Sequence, residues 1–232
     1  MSTEAAFALL EAAEPAFRPD PARARRYAAC LDYWPGKFSE HALLADLIGE
    51  AGHGRIVDSG GTGSFVPLLI GRELQLANPV VNGIDGRALP FDDDAFDAGI
   101  STHTLEHVPI EDRERFLEAL VRVSRRDVYL ICPLGLGNVE IDDAKTRFVG
   151  NTHAHDTQER VTEAWLDDVL KRHDWDCETR GILSRTVHFL LAMLLPINTE
   201  PKKAVCRWVN QRYDVTPPLG DPYNAFVHVR KR

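Results

Sequence analysis

The chain has 232 residues, 44% of them hydrophobic and 27% charged, and a formal net charge of −8 at pH 7. That is enough for one domain with elaborations around a sizeable core, and it is neither a disordered nor a fibrous composition. A negative surface whose basic clusters are small (Arg23, Arg25 and Arg26; Arg230, Lys231 and Arg232) argues against nucleic acid as a partner.

In chain order, residues 4–13 read as a helix ending near Pro15, and Asp20 with Pro21 marks a second helix start. Residues 40–49 place Leu43, Leu44, Leu47 and Ile48 on one helical face. A short buried strand is expected at 55–58, a glycine turn after it, and a helix from Ser64 to Ile70. Two short strands fit 74–77 and 80–84, split by Asn78-Pro79. A strand at 96–101 leads to a helix at 109–124, with Pro109 near its start and Phe116, Leu117, Leu120 and Val121 as its apolar stripe. Then come a strand at 127–133, a helix at 157–172, a strand at 175–179, helices at 184–195 and 201–213, and a last strand from 223. Strands alternating with helices imply an α/β protein with a mostly parallel sheet, covered by helices on both faces. The expected organisation is an N-terminal helical cap or lid over 1–50 and an α/β domain over 51–232, with a helical insert at 183–213 before the last strand.

The four cysteines, Cys30, Cys132, Cys177 and Cys206, form no CxxC pair and follow no targeting segment, so free thiols in a cytoplasmic protein are expected. The run VHFLLAMLLPI at 187–197 is too short to span a bilayer. It suits a buried helix, a peripheral contact with membrane or lipid, an apolar acceptor, or the interface of a homodimer.

The stretch DSGGTG at 58–63 is a ligand-binding construction: glycines let backbone approach a ligand, and the helix that follows offers unpaired N–H groups at its start. It lacks the GK[ST] of a phosphate loop and departs from G-x-G-x-x-G at Val66. Together with DGRALPFDDDAFDAGIS, THTLEHVP and YLICP, in that order over residues 55–133, it resembles the class I S-adenosylmethionine-dependent methyltransferases, a Rossmann-like fold, in particular their small-molecule, ubiquinone-pathway-like branch. The resemblance implies S-adenosylmethionine as cofactor and methyl transfer to a small-molecule acceptor through oxygen or nitrogen. It implies cofactor contacts at Asp58, Gly60, Gly61 and Gly63, adenine contacts at Asp85 and Gly86, and a cofactor lining at Ser101 to His103 near the sulfonium.

The sequence departs from that pattern between Asp58 and Asp85. The resembled family carries an acid at the end of its second strand, holding the ribose, and a helix leading to the third. Here GRELQLANPVVNG has room for both strands but not for that helix, and the strand exit would be the neutral Asn78, with Glu73 the nearest acid. Either the cofactor site is remodelled or the chain is a methyltransferase-like binding or assembly partner without catalysis. For chemistry, His103 is a candidate base or acceptor contact, His107 reads as structural, and His153 and His155 with Asp156 are candidate acceptor contacts in a loop after strand five. Two histidines and a carboxylate can ligate zinc, but nothing in that loop fixes a geometry, and no metal is expected. Tyr27, Tyr33 and Trp34 are candidates for a lid.

Overall fold

A computed structural model describes residues 4, 5, 8, 11, 12, 18–61, 64–133, 161–173, 175–185, 188, 200–216 and 221–231. Most of the helix expected at 4–13, Gly63, the loop with His153, His155 and Asp156, and most of the apolar run 187–197 lie outside the described residues.

The sheet has six strands: β2 Ile56–Ser59, β3 Gln75–Ala77, β4 Phe96–Thr102, β5 Ser124–Pro133, β6 Asp176–Ser184 and β8 Pro222–Arg230, in the order β3-β2-β4-β5-β8-β6. The first four run parallel, and β8 lies antiparallel between β5 and β6. A two-residue pair, β1 Arg18–Pro19 with β7 Tyr213–Asp214, stands apart. Described helices are α1 Pro21–Arg26, α2 Pro35–Ala51, α3 Val66–Ile70, α4 Arg113–Val123, α5 Glu163–Arg172 and α6 Glu200–Asn210. Alternate residues of β5 feed opposite layers, as a strand covered on both faces requires. Val128 and Leu130 pack with Phe116, Leu117 and Leu120 of α4 and Leu166 and Val169 of α5, whereas Tyr129 and Ile131 pack with Leu44 and Ile48 of α2. Among the described residues no helix is long and apolar enough to cross a membrane.

Three expectations need correction. First, α2 starts at Pro35 rather than 40, because Pro35 is preorganised for the first turn, and it ends where Gly52 takes a φ of +68°. Second, residues 80–84 form no strand. The Asn78 side-chain oxygen accepts from the N–H of Val80 (2.9 Å) and of Val81 (3.1 Å), which folds the chain back as an Asx turn and leaves Val80 and Val81 exposed. The crossover from β2 to β3 through α3 is therefore intact; what is missing is a strand beyond β3, which is left as the sheet edge. Third, the expected insert opens as strand rather than helix, since β6 runs to Ser184, and its second helix ends at Asn210 before β7.

The segment before α2 is fastened to the C-terminal elements. Arg23 pairs with Asp214 at 2.7 Å, Arg207 makes a two-pronged pair with Asp32 at 2.8 Å, and the Asn210 amide donates to the carbonyls of Leu31 and Tyr33. A two-pronged guanidinium–carboxylate pair fixes orientation as well as distance.

Candidate functional site

A cleft of about 840 Å3 opens at the carboxyl ends of β2, β3, β4 and β5, where ligands of open α/β sheets bind, and its size is that of a small-molecule site. One half is lined by Ser59, Gly60, Asn78, Asp85, Gly86 and Phe116, the other by Trp34, Glu40, His103, Pro133, Tyr223 and Asn224.

The first half is built from close backbone approaches. Gly60 has a φ of +94° and its N–H donates to Ala77 at 2.8 Å. A Cβ on Gly61 would stand 2.3 Å from the Asp58 carboxylate, and one on Gly86 would stand 2.5 Å from the Phe116 ring and 2.6 Å from Ser59 Oγ. Asp85 is held by Arg87, whose Nε and Nη2 reach it at 3.0 and 2.7 Å and whose Nη1 reaches Asp112 at 2.5 Å. Those donors hold the Asp85 carboxyl below the usual carboxylate range. Asn78 lines the cleft with its amide committed: the oxygen caps the turn and Nδ2 donates to Gly60 at 2.9 Å. Glu73 is exposed and outside the cleft lining. Ser101 is not in the lining either; it donates to the Ser59 carbonyl at 2.9 Å and ties β4 to β2, while Thr102 and His103 line the cleft.

Sequence reasoning missed Lys37, Glu40, Ser59 and Asn224. Ser59 is fully buried, and its Oγ has no hydrogen-bond partner although it lines the cleft, a buried polar atom waiting for a ligand group. Lys37 projects from α2 into the cleft, and among the described residues no carboxylate pairs with it; burial pulls it below the ordinary lysine range against Glu40 and Asp58. The signal that could have found Lys37 and Glu40 is their charge on the largely buried Pro35–Ala51 helix; Ser59 and Asn224 carry no such local signal. Of the three candidate lid aromatics only Trp34 lines the cleft. Tyr27 bonds Asp46 at 2.6 Å, and Tyr33 stacks on Phe65 at 4.0 Å.

His103 leaves β4 with a φ of +50°, a conformation histidine adopts more readily than most side chains. Its Nε2 lies 2.9 Å from Glu40 and its Nδ1 3.6 Å from Glu106, both buried. Burial works against the charged ring, but the two carboxylates outweigh it and raise His103 to about 10. At neutral pH the ring is an imidazolium that already holds both protons. His107 also lines the cleft, beside Val108 and Pro109.

Among known proteins, a family profile described as a methyltransferase domain matches residues 70–132, from α3 through β5. No curated protein sequence matches the chain. A solved S-adenosylmethionine-dependent methyltransferase of Thermotoga maritima, described as a possible histamine N-methyltransferase, superposes with a TM-score of 0.56 at 17% identity, covering 91% of this chain and 99% of that one. Magnesium protoporphyrin IX methyltransferase from Synechocystis, with bound SAH, superposes with a TM-score of 0.50 at 14% identity, covering 83% and 82%. The chain has the fold of the class I methyltransferases.

Within this methyltransferase fold, Asp58 at the end of β2 is 2% exposed. Burial pushes its carboxyl up to about 6, against the Ser64 hydroxyl, the Gly61 N–H and Lys37. Between about pH 4 and that value the folded chain holds a proton that the unfolded chain releases, so stability falls as pH rises through this window. Above it the ionised carboxylate costs roughly 1–3 kcal/mol. Asp58→Asn is therefore expected to raise Tm at pH 7.5 and to flatten the pH dependence between about 4 and 6, read by thermal unfolding across pH. An unchanged slope would show that Asp58 is not the group responsible.

Away from the cleft, Glu114, Glu118 and His173 bring three ligand atoms within 4.8 Å of one another. Arg172 pairs with Glu114 at 3.1 Å, which makes this an ion-pair cluster between α4 and the end of α5.

Proposed function

We propose that the protein is an S-adenosylmethionine-dependent methyltransferase acting on a small-molecule acceptor. The observation that carries this is the cleft at the strand ends, where the lining backbones of Gly60 and Gly86 leave no room for a side chain and buried Ser59 has an unsatisfied hydroxyl. The methyltransferase relatives by fold and the profile over β3 to β5 support the same reading. When bound, S-adenosylmethionine supplies an activated methyl group; the chain's part is to hold it, orient the acceptor and exclude water. Gly60, Gly61, Gly63 and Ser59 would hold its methionine and ribose portion, with Asp58 bracing the turn. Asp85 and Gly86 would hold the adenine edge, and Lys37 would meet the carboxylate. The cofactor's ribose hydroxyls would fall to Asn78 and the turn after it, a stretch with no acid between Asn78 and Ile84.

His103, charged and anchored, is assigned as an orienting contact beside the acceptor rather than as a free base, with His153 and His155 as acceptor contacts from the loop after β5. The small-molecule, ubiquinone-pathway-like branch and a role in biosynthesis rest on the LPF and LEHV segments. A cytoplasmic location is supported by the unpaired cysteines, and the acidic charge supports a small molecule over nucleic acid. A homodimer through 187–197 remains part of the proposal.

Calorimetric titration with S-adenosylmethionine and with SAH tests this. One saturable site is expected, weakened about 10-fold in Lys37→Met, the loss of one charge-assisted contact. Absence of binding at millimolar ligand, from folded protein, would overturn it. That result would select the alternative, a methyltransferase-like partner protein without catalysis, which the committed Asn78 amide favours.

A further inference from the structure

Asn224 stands near the start of β8 in the lining of the cleft, and it is 1% exposed. Its Nδ2 donates to Oε1 of Glu40. A carboxylate only accepts, so this bond fixes the orientation of the amide and leaves the side-chain carbonyl as the remaining pole. That carbonyl, Oδ1, is buried and has no hydrogen-bond partner. An unsatisfied buried acceptor in a ligand cleft costs stability unless the ligand brings a donor.

We propose that the methyl acceptor is an amine and that Asn224 Oδ1 receives one of its N–H bonds. The inference rests on the methyltransferase reading above and deepens it. The surroundings choose among donors. A carboxylate acceptor has no hydrogen to offer and would leave the Asn224 carbonyl unsatisfied. An alcohol or phenol could donate to Asn224, but it must lose its proton to become a good nucleophile, and His103, held between Glu40 and Glu106, already carries two. An alkylamine arrives largely as its ammonium and gives one proton to solvent before attack, a loss far easier than that of an alcohol proton, and the neutral amine so formed needs no further base. Its lone pair forms the N–C bond to the methyl carbon as the C–S bond opens, and that bonding pair returns to sulfur. The positive charge moves from sulfur to nitrogen, and the surplus proton leaves to solvent afterwards. The rings of Trp34 and Tyr223 line the cleft beside Asn224 and offer aromatic faces to the new cation, while the Glu40 carboxylate next to them is shared with the His103 imidazolium. His188 stacks flat on Tyr223, with centroids 3.8 Å apart, and stiffens this wall.

Phenethylamine and its isostere 2-phenylethanol are suitable probes, titrated into SAH-loaded protein by calorimetry and offered with S-adenosylmethionine in a turnover assay. The amine is expected to bind at least 10-fold more tightly than the alcohol. Asn224→Leu should reduce that preference at least 10-fold, with SAH affinity and Tm as folding controls. Glu40→Gln provides the second variant: without a pure acceptor at that position the Asn224 amide is no longer fixed and can turn its carbonyl toward the new donor and away from the ligand, which should weaken amine binding in the same direction. Equal affinity for alcohol and amine, or amine binding indifferent to both folded variants, overturns the inference while leaving the cofactor site standing. Failure to bind SAH at all removes the methyltransferase reading and this inference with it.

Discussion

Gly60→Val is expected to abolish SAH binding, with an affinity loss of 100-fold or more by calorimetry, and to lower Tm. Two physical effects act together. A φ of +94° is a region that L side chains rarely adopt, at a cost of about 1–3 kcal/mol. The new Cβ would also stand 2.2 Å from Thr104 Cγ2 and 2.3 Å from its Oγ1, far inside van der Waals contact. Thr104 cannot simply swing away, because its hydroxyl donates to the Thr102 carbonyl at 3.1 Å in the segment that carries His103. Relief of the clash displaces the turn that forms the cleft floor. Adding Thr104→Gly should restore part of the stability but not the affinity, since the backbone strain persists. Affinity within 10-fold of the parent would show that the Gly60 backbone does not face the ligand.

Arg113→Met should produce the largest loss of stability, about 3 kcal/mol or more, equivalent to a fall in Tm of roughly 6–12 °C for a chain of this length. Arg113 opens α4 yet is 1% exposed. Its Nε donates to the carbonyls of Leu105 (3.1 Å) and Val108 (3.0 Å) and its Nη2 to that of Glu106 (3.4 Å), gathering the turn at residues 105–108 around one guanidinium. Methionine matches much of the length but none of the donors, so three carbonyls lose a partner. The same turn positions Glu106 beneath His103, so the variant should also disturb the cleft. A loss below about 1 kcal/mol in denaturant unfolding would show the turn to be self-supporting.

The 3.6-residue stripe of α4 was legible because Phe116, Leu117, Leu120 and Val121 recur on one face, and all four are buried. β2, β4 and β5 were legible as short apolar runs bounded by turns. Boundaries shifted where local chemistry outranked hydrophobicity, as at Pro35, and an element was lost at 80–84. There Val-Val has every propensity for a strand, but the Asn78 side chain captures the N–H groups of Val80 and Val81, and among the described residues no strand pairs with them.

The sequence by itself determined the α/β class, the glycine turn after β2, the Asp85-Gly86 loop that lines the cleft and the shortened region before it. Each of these is a local pattern, written in the spacing of neighbouring residues. Tertiary structure alone decided the polar cluster around His103. Glu40 comes from α2, His103 from the exit of β4, Glu106 from the turn before α4 and Asn224 from β8, so their meeting spans 184 residues of chain between Glu40 and Asn224. No local periodicity encodes such an encounter. Whether a histidine is a base or an imidazolium, and whether an asparagine shows its carbonyl or its amide, depends on which charge the fold brings beside it.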